Sequence, residues 1–216
     1  MPLTELVRPL KDVWLRPRFV FRSLAARPVG ITDYVLAGLQ GIANSLAVYR
    51  TQFADQHIGV GEILSNSVLF GPIVGIAGMF LFAVIWGRLG KRIGGKASRN
   101  QIFHVLAYGG IPVAAALILW ILTPLGAGEG AFLYKPEGEV DGFMTLVLRL
   151  QFAAYVFLLL WSVVLQVMGF SEIQGLTTRK AFGAWVLGQL LWALASILLL
   201  LLFTQLFPDM APAQAN

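Results

Sequence analysis

The chain has 216 residues, of which 57% are hydrophobic and 12% charged, with a net charge of +5 and a mean hydropathy of +0.75. A soluble domain of this length carries about 25% charged residues, so the composition disfavours a soluble domain and indicates a single-unit integral membrane protein. Cysteine is absent, which excludes disulfides, thiolate metal sites and cysteine nucleophiles and leaves the redox compartment open.

The chain opens with a basic segment. Within it, RPRFVFRSLAARP at 16–28 begins beside Pro17, which suits a helix start, and ends at Pro28, which terminates a helix. Its apolar residues recur at helical spacing, while Arg18 and Arg22 lie on another face. We predict a short amphipathic helix in the membrane interface, with its arginines reaching lipid headgroups, and no cleaved signal peptide.

Five apolar runs follow, and each is long enough to cross a bilayer, since a hydrocarbon core of ~30 Å needs about 20 helical residues. Helices are expected because lipid cannot satisfy the backbone of an open strand, and the runs do not alternate as barrel strands do. We therefore predict an all-α fold, an integral membrane bundle of five transmembrane helices. The predicted spans are 31–49, 68–87, 102–123, 147–170 and 181–207.

The first run is the least certain of the five. It contains Gln40, Asn44 and Ser45, and Asp33 lies near its start. Two interpretations are open at this point: a span whose polar side chains face neighbouring helices, or a re-entrant or interfacial segment. The distribution of charge along the chain decides between them.

The two sides of the membrane differ in charge when all five runs cross. One side carries thirteen of the sixteen lysines and arginines, whereas the other carries two of them together with seven acidic residues. This separation requires 31–49 to cross, and it predicts a cytoplasmic N-terminus and an outward-facing tail at 208–216. The basic side comprises 1–30, 88–101 and 171–180, and the other side comprises 50–67, 124–142 and the residues after 207.

A small-residue motif lies near the start of span two. Gly71 and Gly75 form a G-x-x-x-G pattern, and Gly78 follows on a nearby face. Because this spacing lets two helix backbones approach closely, we predict a helix contact here, inside the bundle or between subunits. Pro72 and Pro112 lie inside spans two and three and are able to kink both.

The hairpin between spans two and three is rich in glycine and basic residues. Its stretch Gly90–Ala97 resembles the phosphate-binding loop G-x-x-x-x-G-K-[ST]. Nucleotide binding is excluded, because Ala97 stands where the loop needs a hydroxyl, no buried strand precedes it, and the cytoplasmic loops hold no Walker-B carboxylate. We expect a loop at headgroup level that is either a topology signal or a binding site for lipid phosphates or a partner. Its basic residues are Arg88, Lys91, Arg92, Lys96 and Arg99.

No arrangement of residues indicates catalysis. The two histidines, His57 and His104, lie on opposite sides of the predicted membrane and cannot share a metal within one protomer. The chain has no H-E-x-x-H, D-x-D or G-x-S-x-G motif and no paired intramembrane carboxylates. We expect no enzyme activity, no catalytic residue, no metal, no cofactor, and no binding of nucleic acid or nucleotide.

Transport needs polar groups at membrane depth. Gln40, Asn44 and Gln166 are the residues that would line a polar path near the first and fourth spans. Asp33 and Arg149 lie near span ends, where snorkelling to the surface explains them. A small transporter or channel is therefore an alternative, which a solvent-accessible cavity between spans one and four would favour.

Three stretches together resemble the Yip1 domain family. The first is FGPIVGIAGMFLFAVIWGRLGKRIGGKASRNQIFHVLAYGGIPVAAALILWIL, residues 70–122, which is similar to the family core of an apolar helix, a basic Gly-Gly-Lys hairpin and a helix with a Tyr-Gly and Pro pattern. The second is LLLWSVVLQVMGFSEIQGLTTRKAFGAW, residues 158–185, and the third is RPRFVFRSLAARP, which looks like the lead-in of bacterial members. The resemblance covers most of residues 16–205.

The resemblance implies a five-span fold with a cytoplasmic N-terminus, in agreement with the charge distribution. Eukaryotic relatives are implicated in vesicle traffic, membrane shaping and binding of prenylated small GTPases. Their Asp-Leu-Tyr-Gly-Pro motif is present here only as VLFGP at 68–72, without the acidic residue. This departure disfavours GTPase binding and favours a bacterial-type member in the inner membrane.

The sequence thus predicts a non-enzymatic Yip1-type membrane protein that organises lipids or partner proteins through its basic cytoplasmic face. The hairpin would bind anionic headgroups, supported by Arg18 and Arg22, while Gly71 and Gly75 pack a helix contact. A membrane-protein partner or a second copy of the chain would also fit. A third interpretation, after the transporter or channel, is an accessory subunit of a larger membrane complex.

Overall fold

The computed structural model describes residues 3–52, 59–127 and 142–206. Within these ranges every element of regular structure is a helix, which confirms the predicted all-α fold class. The tail 208–216 and His57 lie outside the described residues. The helices are α1 (Leu3–Asp12), α2 (Pro17–Leu24), α3 (Ile31–Gln52), α4 (Val60–Arg92), α5 (Arg99–Gly109), α6 (Ile111–Ala115), α7 (Leu117–Ala127), α8 (Gly142–Gln174) and α9 (Thr178–Leu206).

Among the described residues, three helical stretches are long and apolar enough to cross a membrane. They are Val60–Arg92, Arg99–Leu122 and Thr145–Gln174, with 33, 24 and 30 residues. This composition is that of a multi-pass membrane protein. The first and last predicted runs also fold as helices, namely α3 and α9. They are not among the three stretches that are long and apolar enough to cross. Five crossings therefore stay a prediction.

The stretch Arg99–Leu122 forms the centre of the bundle. In its most apolar part, 61% of the residues are buried inside the protein. The corresponding shares are 17% for the stretch in α4 and 22% for the stretch in α8. It runs through α5 and α6 into α7, and these helices contact α3, α4 and α8. Its side chains therefore meet protein, whereas those of α4 and α8 largely face outward.

Glycines bring α3 and α4 into backbone contact. Gly41 on α3 lies against the G-x-x-x-G motif of α4: a Cβ on Gly71 would lie 2.8 Å from the Cα of Ile42. A Cβ on Gly75 would lie 2.7 Å from the Cα of Gly41. These distances leave no room for a side chain, so Gly71 and Gly75 lie in a helix contact inside the chain. Gly78 takes no part, because a Cβ there would meet nothing within 4 Å.

The two prolines inside predicted spans differ in their effect. α4 runs on past Pro72 without interruption, as helices in membranes do where neighbouring groups satisfy the freed carbonyl. The third span is interrupted at Gly110, between α5 and α6, and Pro112 lies in the first turn of α6. Of these two spans, only the third is divided beside its proline.

The predicted amphipathic helix is present as α2, but its apolar face packs elsewhere than expected. Val20, Phe21 and Leu24 are 2%, 1% and 2% exposed, and α2 contacts α8 and α5. The Phe21 ring occupies the space left by Gly169, since a Cβ there would lie 2.8 Å from the ring. The expectation that this face lies in lipid is therefore wrong. The face packs on the bundle instead, because the bundle offers an apolar surface in which Gly169 leaves space for the Phe21 ring.

Candidate functional site

The basic hairpin is a junction between two helix ends. α4 ends in a Schellman motif, in which Gly95 N–H donates to Gly90 O at 2.8 Å and Gly94 N–H donates to Lys91 O at 3.2 Å. Gly94 has a φ of +93°, the left-handed region that favours glycine. α5 then begins at a capping box with Ser98 as its N-cap. The string that resembles a phosphate loop is a helix C-cap followed by a helix N-cap.

Gln174, the last residue of α8, fastens this hairpin to the bundle. It is 1% exposed, and its Oε1 accepts a hydrogen bond from Ala97 N–H at 2.9 Å. A Cβ on Gly90 or on Gly95 would overlap its amide, so the two glycines leave the room that it occupies. Sequence reasoning missed Gln174, because the bond joins residues 77 positions apart; the visible signal was the Gly-Gly pair in the hairpin.

The five basic residues of the hairpin are all exposed. Among the described residues, none of them forms an ion pair. Lys91 and Arg92 lie in the last turn of α4, where positive charge complements the helix dipole. Arg99 also has an aromatic neighbour, since its guanidinium carbon lies 5.4 Å from the centre of the Phe80 ring. The hairpin presents unneutralised positive charge on a backbone held by two caps and Gln174.

Arg18 and Arg22 have partners inside the protein. The Arg22 guanidinium donates to Glu172 at 2.6 and 2.9 Å, and Arg18 donates to the Thr178 hydroxyl at 3.4 Å. The contacts join α2 to the last turn of α8 and to the first residue of α9. The two arginines therefore hold α2 at the end of the bundle where Gln174 meets the hairpin, and the charge of Arg22 is paired within the protein.

A buried ionisable pair lies where the N-terminal segment meets the third span. Nδ1 of His104 lies 2.6 Å from Oδ1 of Asp33, and Nε2 lies 3.0 Å from the carbonyl oxygen of Arg27. Both ring nitrogens face acceptors, so the imidazolium is the form that donates to both. The other oxygen of Asp33 accepts from Gly30 N–H at 2.9 Å. Asp33 is only 5% exposed, which corrects the expectation that it snorkels to the surface.

The break in the third span leaves backbone carbonyls that side chains of other helices satisfy. Gln40 on α3 donates from Nε2 to the carbonyl oxygen of Ala107 at 2.9 Å. Ser162 on α8 donates to the carbonyl oxygen of Gly109 at 2.9 Å. A Cβ on Gly110 would overlap the Gln40 amide, so glycine is needed for this approach. Irregular backbone in a membrane bundle is tolerated where such partners satisfy it.

A line of hydrogen bonds continues from the break to α9. Gln166 donates from Nε2 to the Ser162 hydroxyl at 3.3 Å, and its Oε1 accepts from the indole N–H of Trp185 at 3.1 Å. With the bond from Ser162 to Gly109, these contacts join α9, α8 and α5. Every bond in the line has a donor and an acceptor of the right kind, so the network fixes the positions of three helices.

A cavity of about 650 Å³ lies beside this network. Its walls come from α3, α4, α8 and α9, with one residue each from α5 and α6. All three residues predicted for a polar path, Gln40, Asn44 and Gln166, line it. The same walls include Gly71, Gly75 and Gly78. The structure thus brings together the predicted path residues and the predicted packing glycines, and it keeps the basic hairpin outside the cavity wall.

In the part of the chain that the structure describes, no group of acidic or histidine side chains could hold a metal ion.

Comparison with known proteins gives one family match. The sequence model of the Yip1 domain matches residues 11–203, which is most of the chain. The matched range contains both the basic hairpin and every residue that lines the cavity. No curated protein and no solved structure matches the chain.

Proposed function

Since this chain belongs to the Yip1 domain family of membrane proteins, we propose that it binds anionic lipid headgroups through its basic hairpin and thereby organises membrane lipids or partner proteins. The observation that carries this proposal is the set of five exposed basic side chains without an ion-pair partner in the described residues. Each basic residue near an anionic membrane surface contributes about 1 kcal/mol of attraction.

The proposal includes five membrane crossings with a cytoplasmic N-terminus and an outward C-terminus, in a bacterial inner membrane. The asymmetry of lysine and arginine supports this orientation. α3 and α9 support the number of crossings, because their 22 and 29 residues exceed the about 20 that a helix needs to cross. The protein acts without catalysis, in keeping with a family that is not known as an enzyme family.

The hairpin is suited to this role because its backbone is preorganised. The Schellman motif, the capping box and the Gln174 bond hold the loop without using any of the five charged groups. Binding then costs little ordering of the backbone, and the flexible side chains adapt to the headgroups. α2, held by Arg22 on Glu172, forms a neighbouring part of the same face.

The test is native-disc extraction of the full chain, with the co-isolated lipids and proteins identified by mass spectrometry. One variant changes Arg88, Lys91, Arg92, Lys96 and Arg99 to Gln. A matched control removes the same charge from exposed positions on the same side, with Arg8, Lys11, Arg16, Arg179 and Lys180 changed to Gln. Topology is checked for both variants by accessibility labelling.

Loss of anionic lipid, or of a partner protein, in the hairpin variant alone would support the proposal. Equal loss in both variants would mean that net charge, and not the hairpin, attracts the lipid. An unchanged profile in both would reduce the hairpin to a topology signal. Stoichiometric recovery of one larger enzyme complex in every sample would instead identify an accessory subunit.

A further inference from the structure

We propose that the cavity binds one uncharged amphiphile, a glyceride with a hydroxyl or ester head, which enters sideways from the bilayer. This binding site is separate from the headgroup binding proposed for the hairpin, since none of the five basic residues lines the cavity. The proposal rests on the charge of the lining, on its unused hydrogen-bonding groups, on its apolar wall and on its size.

The lining carries no formal charge. Its polar groups are amides, hydroxyls and tryptophan indoles, and no lysine, arginine, aspartate, glutamate or histidine is among the lining residues. A charged ligand in a low-dielectric cavity needs a compensating charge, because burying it alone costs far more than burying a neutral polar group. The lining therefore disfavours ions and phosphate-bearing heads and favours a neutral head.

Two amides in the lining are available to form hydrogen bonds with a neutral head group. The Asn44 side chain is exposed and that of Gln189 is half-buried, and within the described residues neither forms a hydrogen bond through its side chain. Each amide has two donors and an acceptor, which match a hydroxyl and an ester carbonyl. Gln40 and Gln166, by contrast, are engaged at the helix break and at Trp185.

α4 supplies the apolar wall and the entrance. The cavity residues Phe70 and Val74 are 55% and 67% exposed, so this side of the cavity faces the lipid. The ring of Phe82 lies against that of Trp192 on α9, with ring centres 4.5 Å apart and planes tilted by 34°, and this contact closes the wall between the two helices. An acyl chain lying along α4 would place its head toward the amides of α3 and α9.

The size of the cavity fits one such molecule. Ligand sites for small molecules have volumes of about 300–1,000 Å³, and the cavity holds about 650 Å³. A single ion or water-sized solute would leave most of this apolar volume unfilled. One head with part of an acyl chain fills it while the rest of the chain stays in lipid.

The experiment uses the full chain in lipid nanodiscs and two photoreactive lipids that share the same acyl chains. One is a diacylglycerol, and the other is the corresponding phosphatidic acid, which adds a charged phosphate. We expect the diacylglycerol to label peptides of α4 and α9 at the cavity, about tenfold more than phosphatidic acid does, a ratio that equals about 1.4 kcal/mol.

Gly78→Phe fills the cavity without striking the backbone, because a Cβ at Gly78 meets nothing within 4 Å. It should cut diacylglycerol labelling about tenfold. Gly183→Phe is the matched control, since Gly183 is equally open but does not line the cavity. Val74→Trp at the entrance is a second blocking variant, for use if Gly78→Phe does not fold. Asn44→Leu together with Gln189→Leu should lower diacylglycerol labelling, because the head loses its hydrogen-bond partners, without raising labelling by phosphatidic acid.

Equal labelling by the two lipids, or labelling that neither blocking variant lowers, would overturn the proposal. Saturable uptake of a small polar solute into proteoliposomes, stopped by Gly78→Phe, would also overturn it and identify a solute path. Failure here is distinguishable from failure of the hairpin proposal, because the hairpin variant with five Gln substitutions should keep its diacylglycerol labelling.

Discussion

The basic hairpin and the cavity differ in what holds them and in what they offer a ligand. The hairpin offers charge on exposed side chains, and its two caps are made by residues close together in sequence. The cavity offers uncharged groups, and its frame depends on Gln40 and Ser162, whose bonds join residues 67 and 53 positions apart. Substitutions of the hairpin's basic side chains should therefore change binding at little cost in stability, since neither the caps nor the Gln174 bond uses them, whereas substitutions in the frame should cost stability first.

The largest effect is expected at the pair of Asp33 and His104. These side chains are as deeply buried as Gln40 and Ser162, which form the frame of the cavity. His104→Leu leaves the buried Asp33 carboxylate without its partner and should lower the free energy of unfolding by about 3–5 kcal/mol, measured by denaturant titration in bicelles. The double variant Asp33→Ala with His104→Leu should lose less than the sum of the single losses, because it removes the stranded charge. Additive losses would mean that the two groups do not act as a pair.

The next effect is expected at the contact of α3 with α4, which forms one wall of the cavity. Gly75→Leu places a side chain against the backbone at Gly41 and should cost about 2–3 kcal/mol through overpacking. Gly78→Leu, one turn further along the same helix, should be tolerated because its position is open. Thermal unfolding of the two variants compares them directly, and equal melting temperatures would contradict the close contact.

A smaller effect is expected at the helix break. Gln40→Leu leaves the carbonyl oxygen of Ala107 unsatisfied and should cost about 1–3 kcal/mol. Asn44→Leu is the matched control, since its side chain has no hydrogen bond in the described residues, and it should cost less than about 0.5 kcal/mol. If the two variants unfold at the same denaturant concentration, the amide at Gln40 does not support the break.

The smallest effect is expected at the ion pair of Arg22 with Glu172. The Arg22 side chain is 75% exposed, so Arg22→Gln should cost less than about 1 kcal/mol, as surface ion pairs do. Raising the salt concentration should remove most of the difference from the parent chain. A loss above about 2 kcal/mol would show that this end of the protein is held as tightly as the cavity frame.

The sequence predicts best what depends on neighbours along the chain. The helix at Pro17–Leu24, the backbone contact at Gly71 and Gly75, and the exposed basic hairpin all follow from spacing within about 15 residues. Asp33 was misread because its partner lies 71 positions away, and a carboxylate near a span end ordinarily reaches the surface. Gln174 and Ser162 carried no signal of their own, since a polar residue on an apolar helix is also explained by ordinary packing between helices.

The length of α4 sets a limit on the membrane that can hold the protein. Its 33 residues extend about 50 Å, whereas the hydrocarbon layer is about 30 Å thick. In the proposed topology Glu62 and Arg88, both exposed and about 40 Å apart along the helix, lie on either side of that layer. Only a layer thicker than about 40 Å would draw one of these charges into hydrocarbon or force the bilayer to thin around the helix. In the proposed topology α4 is therefore longer than the layer needs, and the protein should favour bilayers whose thickness approaches the distance between Glu62 and Arg88.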